Sequence, residues 1–474
     1  MQSNMRRSLA AFLCVWAGAA LAAEAPAPEP DFWSRPNLLG DPFGLRASLA
    51  AKGIGLQVLE TSEVLGTVSG GIRRGTVYEG VTQATLTVDL EKLAGWKGGS
   101  ILVSALQIHG RGASANLVGA GLNTVSNFEA TRATRLYDAY FEQKLFDGKF
   151  SVRIGQMRAD DEFLLSQYGQ NAGPDEPNGY SFASANPLFM NSTFGFPALL
   201  GNDLPSGGPA YPLAAPGVRL KLQPTGEISL LAAVFAGNPA GPGANDPQVR
   251  NGNGLFFSLR DSFFAIAEAQ YALNQAPDGA GLPGTYRVGA WLHNGIFLDQ
   301  RLGTDGLSLA NPASNGAARR LRGFMGGYVG ADQMIWKTGK TKDQGIGVFG
   351  RVMATQGDRA PVGFYINGGV TWKGPIPGRE SDSLGLGVAH AALGNGARGL
   401  DQDAAAFAVG GLRPIRDGET VFELTYLFQA TGWMTIQPDL QWIVRPGGGV
   451  PDPVSPTRAI GDALLIGLRT AITF

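Results

Sequence analysis

The amino-acid sequence predicts an all-β fold: a transmembrane antiparallel β-barrel of about sixteen strands, with a short N-terminal helix and long loops, one of them folded into the lumen. Three observations carry that prediction. The chain opens on an export signal and afterwards contains no run of about eighteen apolar residues, so no membrane helix is expected. Its segments alternate apolar and polar with a period of two, as strands do when their faces meet different surroundings. And it ends on "GDALLIGLRTAITF", a strand closing on an aromatic residue.

Taken in order, Arg6 and Arg7 form a basic start, Leu9 to Leu21 is apolar and Ala-rich, and Ala20-Leu21-Ala22 is a small-x-small cleavage signal. Residues 1–23 are therefore read as a secretory signal peptide, outside the fold. The single cysteine, Cys14, falls inside it, so the mature chain uses neither disulfides nor Cys-ligated metal. An exported chain without a spanning helix has one route into a membrane, a closed barrel in which strands pair every backbone group. Residues 24–40 read as a mobile Pro-rich leader and 41–474 as the barrel. In "DPFGLRASLAAKG", Asp41 is the expected N-cap, Pro42 sits in the first turn, Leu45 and Leu49 lie one turn apart and Gly53 follows the end. This is the one helix the sequence signals strongly.

Strands follow. "TQATLTVDL" places Ala84, Leu86, Val88 and Leu90 on one face. "ETVFELTYLFQA" sets Phe422, Leu424, Tyr426 and Phe428 against Glu423, Thr425 and Gln429. "MTIQPDLQWIV" sets Ile436, Pro438, Leu440, Trp442 and Val444 against Thr435, Gln437, Asp439 and Gln441. The turn "ATGW" joins the last two as a hairpin. Tyr426, Phe428, Trp433, Trp442 and Phe474 near strand ends suit interfacial girdles. Candidate strands number about seventeen or eighteen, each of about nine to fourteen residues, a length that spans a bilayer when tilted. Single-chain barrels have even strand numbers, so about sixteen are expected, with at least one candidate lying in a loop and the weakest candidates near Leu255 and Phe407. A soluble sandwich or propeller also alternates. It would have to explain Pro438 and large aromatics on long strands, and an apolar terminal strand.

Long connections alternate with short ones. The longest, Ala159 to Pro216, carries Phe163, Tyr168, Tyr180, Phe182, Phe189, Phe194 and Phe196. That is too aromatic for a solvated loop, and it is expected to pack inside the lumen with Phe194 and Phe196 inward.

The sequence holds no catalytic constellation. His109, His293 and His390 share no metal-ligand spacing. "KTGKTK" resembles the tail of a phosphate loop, but Met334 stands where the upstream glycine must be. Asp160, Asp161 and Glu162 could bind calcium or line a pore, but a solvated acidic turn is the simplest reading. Neither a cofactor nor a metal is implied. The net charge of −1 gives no reason to expect nucleic acid as a partner. By alternation the lumen lining comprises Arg135, Asp138, Glu142, Arg153, Arg219, Lys221, Glu423, Gln437, Asp439 and Gln441, to which the loop adds Asp160, Asp161, Phe194 and Phe196. One dominant sign would mark an ion pore. Balanced charge suits neutral polyhydroxylated solutes, whose hydroxyls both donate and accept.

The stretches "EVLGTVSGGIRRGTVYEG", "RLYDAYFEQKLFDGKFSVRIGQMRADDEF", "MNSTFGFP", "AYPLAAPGVRLK", "RGFMGGYVGADQMIWK" and "ETVFELTYLFQATGWMTIQPDLQWIVRPGG" together resemble the carbohydrate-selective porin family. The resemblance covers nearly the whole mature chain, from about Leu49 on. It implies passive sugar uptake across the outer membrane of a Gram-negative cell by a monomer or homotrimer, without enzyme activity. Partners would be carbohydrates, outer-membrane lipids and the barrel assembly machinery, for which Phe474 looks like the C-terminal signal. Two alternatives remain: a diffusion porin for small carboxylates, and a non-conducting surface protein that binds carbohydrate.

Overall fold

In the computed structural model, sixteen antiparallel strands close into a single barrel. The structure describes residues 31–119, 121–165, 188–275, 281–339, 344–408 and 413–474. The strands are β1 (Ile54–Ser69), β2 (Gly75–Asp89), β3 (Gly99–Gly110), β4 (Ala133–Leu145), β5 (Phe150–Met157), β6 (Ala215–Leu222), β7 (Ile228–Ala236) and β8 (Phe263–Leu273) in the first half. The second half comprises β9 (Gly284–Gly303), β10 (Ala318–Lys337), β11 (Gly345–Thr355), β12 (Val362–Lys373), β13 (Ser383–Leu393), β14 (Gly418–Thr431), β15 (Met434–Val444) and β16 (Ala463–Thr473). Each pairs with its sequence neighbours, and β1 closes on β16. An open edge at membrane depth would leave a row of unpaired backbone groups, which closure removes. The longest connections, between β3 and β4, β5 and β6, β7 and β8, and β13 and β14, all leave the end opposite the chain termini.

The period of two sorts the wall as expected. On β14, Phe422 and Leu424 are exposed while Glu423 and Thr425 are buried inside. On β15, Pro438, Leu440 and Trp442 face out against buried Gln437, Asp439 and Gln441. Apolar residues meet lipid, and polar ones meet the interior. β16 follows suit: Ile466 and Leu468 are exposed, and Arg469 is buried. It pairs with β1 from Leu59 opposite Thr473 onward and with β15 from Met434 opposite Ile472. The Phe474 amide donates to the Val58 carbonyl (2.8 Å), and Arg46 Nη2 reaches the Phe474 carbonyl (2.6 Å).

Some expectations need correction, though not the placing of one surplus strand candidate in a loop: the piece near Leu255 is an irregular loop, whereas Phe407 ends a helix, Asn395–Phe407. Its Ala-rich run and the Asp401–Arg416 pair (2.7 Å) favour helix over the alternation read there. The strong helix is Leu45–Ala51, preceded by a 3-10 turn, so Asp41 caps it from a distance through the amides of Arg46 (2.6 Å) and Ala47 (3.1 Å). Leu90 leaves the strand face: Asp89 accepts from the amides of Glu91 (2.9 Å) and Lys92 (3.2 Å) and starts the short helix Leu90–Ala94. The described part of the leader is docked on the barrel. Phe32 packs edge-on against Trp433 (5.4 Å), and Trp433 Nε1 donates to the Phe32 carbonyl (2.9 Å). Trp433 is therefore buried under the leader and does not belong to a lipid girdle.

Candidate pore constriction

The β5–β6 connection turns into the lumen. Its described parts, 158–165 and 188–214, bury Phe163, Phe189, Met190, Phe194, Leu199 and Leu200. Tyr168, Tyr180 and Phe182 lie outside the described residues. Phe189 and Phe194 stack at 4.4 Å, and Phe189 lies 5.3 Å from Phe349 of β11. Gly387 of β13 makes room for this: a Cβ there would lie 2.7 Å from the Phe194 ring. Phe194 is thus inward as expected. Phe196 is only half-buried, at the edge of that cluster.

Wall side chains seize the loop's backbone. Glu423 accepts the amides of Met190 (2.5 Å) and Asn191 (3.0 Å). Gln437 Nε2 donates to the Leu188 carbonyl (2.7 Å), and Asn191 Nδ2 donates to Gln441 Oε1 (2.9 Å). Arg351 donates to the carbonyls of Phe194 (2.6 Å) and Gly195 (3.0 Å), and the Tyr365 hydroxyl donates to the Thr193 carbonyl. Asn191 caps the turn Ser192–Gly195 by accepting the Thr193 amide (3.0 Å). The β3–β4 connection is sewn to the same loop: Asn127 N donates to the Met190 carbonyl (2.7 Å), and Ala198 N to Asn123 Oδ1 (3.1 Å).

The opposite wall meets the loop with charge. Arg158 contacts Asp138 (3.1 Å), Asp161 (3.0 Å) and Asp160 (3.7 Å). Arg153 contacts Glu142 (3.1 Å), Asp161 (3.4 Å) and Glu162 (3.5 Å), and Arg219 contacts Glu142 (3.1 Å) and Glu162 (2.5 Å). The acidic run is therefore ion-paired, which overturns the reading as a solvated turn. Burial would lower the pKa of Arg158, but Asp138, Tyr137, Asp161 and Asp160 outweigh it and drive it well above its usual value. Desolvation raises the pKa of Asp160, against the pull of Arg158. Desolvation likewise raises that of Glu129 on the β3–β4 connection. Arg135 plays a different part and ties three connections through the carbonyls of Thr131, Pro212 and Gln248. Lys221 is half-buried on the inward row two residues beyond Arg219.

Between the two inner connections and the wall lies a cavity of about 360 Å³. Arg158, Asp160, Glu129, Asn127, Asn202 and Gln248 line it with polar groups, and Phe128, Phe163, Phe196, Tyr137 and Tyr211 with rings. Such a mixture of ring faces with a few converging polar groups, in a space of this size, suits a small ligand.

The structure places every alternation-predicted lining residue inside the wall. It brings Asp138, Glu142, Arg153, Asp160, Asp161 and Arg219 into one cluster, and assigns Glu423, Gln437 and Gln441 to holding the loop; Asp439 accepts from Gln441 Nε2 (2.9 Å). Sequence reasoning missed Arg158, though its place beside the acidic run was a signal. It also missed Arg351, Arg287, Asp332 and Glu268, which alternation along β8–β11 could have supplied.

Three comparisons bear on this arrangement. The family model described as "Carbohydrate-selective porin, OprB family" matches residues 73–474. The chain is 24% identical over 474 residues to Porin B of Pseudomonas aeruginosa, covering 96% of this chain and 94% of that protein. It is 23% identical to the Putative porin QuiX of Acinetobacter baylyi, covering 94% and 95% of the respective chains. Among solved structures, that titled "High pH structure of Pseudomonas putida OprB" superposes with a TM-score of 0.79 at 23% identity, over 94% of this chain and all of that one (100%).

Proposed function

The chain belongs to the carbohydrate-selective porin family, and on that premise we propose that it lets sugars of monosaccharide size diffuse passively across the outer membrane, through the passage between its two inner connections. The observation that carries this reading is the cavity of about 360 Å³, lined jointly by aromatic rings and by Arg158 with Asp160 (3.7 Å), at the edge of the ion-paired cluster. Paired charges present donors and acceptors side by side without a strong net field, so sugar hydroxyls can exchange water for protein groups. The rings supply flat faces for the sugar's C–H surface. A site that is to conduct must bind weakly enough to release, and a surface whose charges already pair with one another does so. Arg158, Asp160 and Phe196 are the proposed sugar-facing groups, with Asp161 and Arg153 behind them in the same ion-paired cluster. Glu423, Gln437, Gln441 and Phe194 act indirectly by fixing the loop.

In this reading residues 1–23 are removed on export, the termini face the periplasm and the long connections face outward. The strand ending at Phe474 serves as the signal for the assembly machinery. The test is swelling of proteoliposomes in isotonic glucose against isotonic succinate, together with planar-bilayer recording. Faster entry of glucose with weak ion selectivity is expected. Faster succinate entry with anion preference would instead make this a carboxylate pore, and a silent bilayer would favour a non-conducting carbohydrate binder.

A further inference from the structure

The outer wall carries a charged patch that the passage does not use. β9 and β10 run for 20 residues each, against 11 for β8. A residue advances about 3.3 Å along a strand, and a tilt of about 40° leaves about 2.5 Å along the membrane normal. An apolar band of about 25 Å thus takes about ten residues. The outward row of β9 starts at Tyr286, whose hydroxyl donates to Gln333 Oε1 (2.6 Å) near the short-connection rim. It climbs through exposed Val288, Leu292 and Ile296 to Leu298, which lies beyond the ten-residue band at the long-connection rim. On β10, Met325 stands opposite Leu292, Arg322 opposite Ile296 and Arg320 opposite Leu298. Cross-strand partners share a face, so both arginines point outward, and both are exposed.

A bulge puts Arg322 there. Phe324 faces inward, 5.1 Å from Phe297. In a regular strand Arg322, two residues earlier, would share that face. The register shifts between Arg322 and Phe324, and Gly323 takes φ 80°, which reverses the facing. Three acids nearby are already engaged: Asp299 with Arg319 (2.7 Å), Asp358 with Arg359 (2.8 Å) and Asp403 with Arg301 (2.7 Å). Among the described residues, the side chains of Arg320 and Arg322 meet neither a carboxylate within ion-pair range nor a hydrogen-bond acceptor.

We propose that Arg320 and Arg322 bind a phosphorylated glycolipid of the outer leaflet, its phosphate held by the two guanidiniums and its acyl chains lying along Ile296, Leu298 and Met325. The proposal rests on the reading that the long connections face outward. The two side chains leave one face about 7 Å apart, close enough to converge on one phosphate, to which arginine donates in pairs. The commitment to a lipid comes from position: two uncompensated cations sit where the apolar band ends, directly above lipid-facing Leu292 and Met325.

The test uses the full mature chain, purified in detergent and checked for a folded barrel by heat-modifiable mobility. Binding is titrated with bisphosphorylated lipid A, with dephosphorylated lipid A and with inorganic phosphate, for wild type, R320Q/R322Q and R320K/R322K. A basic residue at an anionic membrane surface contributes about a fivefold affinity gain. The glutamine pair should therefore bind bisphosphorylated lipid A about 30-fold more weakly, and the lysine pair should recover most of that loss. Dephosphorylated lipid A should bind wild type and R320Q/R322Q alike. Equal binding of bisphosphorylated lipid A by wild type and R320Q/R322Q overturns the proposal. So does displacement of the lipid by millimolar inorganic phosphate, which would mark a free-anion site. Glucose entry into liposomes should be the same in all three proteins; its failure in wild type would count against the porin reading and leave the lipid result standing.

Discussion

Two halves of one barrel wall hold the same inner loop in different ways. From β11 to β15 the grip is backbone and ring: Glu423 on two amides, Arg351 on two carbonyls, and Phe189 and Phe194 stacked against Phe349 over Gly387. From β4 to β6 it is charge on charge, three arginines against five carboxylates. The contrast separates two tasks. Buried amides and carbonyls have no alternative partner, so the first half fixes the loop's position. Ion pairs beside a polar cavity can rearrange around a solute, so the second half can meet what passes.

Removing the fixed half altogether should have the largest effect. Deleting residues 189–198 is expected to raise single-channel conductance severalfold and to weaken sugar preference, in a barrel that still shows heat-modifiable mobility. Unchanged conductance would mean that this segment does not narrow the passage. A milder break is Glu423→Ala, which orphans two buried amides. At about 1–3 kcal/mol for each unsatisfied group, the loop should loosen by about 3 kcal/mol, seen as faster hydrogen exchange at Met190 and Asn191 and as noisier open-channel current. If exchange there stays slow, the ring stack alone holds the loop.

On the charged half, Arg158→Gln should leave the loop in place and change the passage. Asp138, Asp160 and Asp161 lose a shared cation, so cation preference should rise about five- to tenfold, about 1–1.4 kcal/mol of local potential, read as reversal potential under a salt gradient. A shift of that size from Gln437→Leu on the fixed half, with none from Arg158→Gln, would invert the division.

A last effect concerns pH. Asp203 on the inner loop is buried, and desolvation holds its carboxyl well above the usual range, with only the Val362 amide (3.4 Å) opposing. The neutral acid is the form that packs. Its contribution is complete below the ordinary carboxylate range and is lost as pH rises toward the raised value, by about 1.4 kcal/mol per unit inside that window. Loop protection should therefore fall with rising pH in wild type and stay flatter in Asp203→Asn. Parallel pH profiles for the two proteins would remove Asp203 from the account.

Much of this was legible along the chain because a membrane barrel writes its facing into every second residue. The outward Ile466 and Leu468, the inward Arg469 and the closure of β16 on β1 follow from alternation and from the need to pair every edge. The roles of the inward residues were not legible. Alternation places Arg469 on the lumen face and no more, but it is engaged by Glu63 and Asn127 (2.6 Å each) beneath Phe128 (4.7 Å), which makes Arg469→Gln costlier than a lumen-lining change. A period of two says which side a residue is on and nothing about what lies across the lumen.

By itself, then, the sequence determined the class of fold, the inside and outside of each strand and the presence of an aromatic-rich loop, because each depends on neighbours one or two residues away. Only the tertiary structure decided that Glu423 holds Asn191, a separation of 232 residues, that Arg219 meets Glu162 across 57, and that Gly323 turns Arg322 to the outer wall. Those contacts depend on where a closed sheet brings distant strands and on one bulge that reverses facing, and neither leaves a local periodic mark.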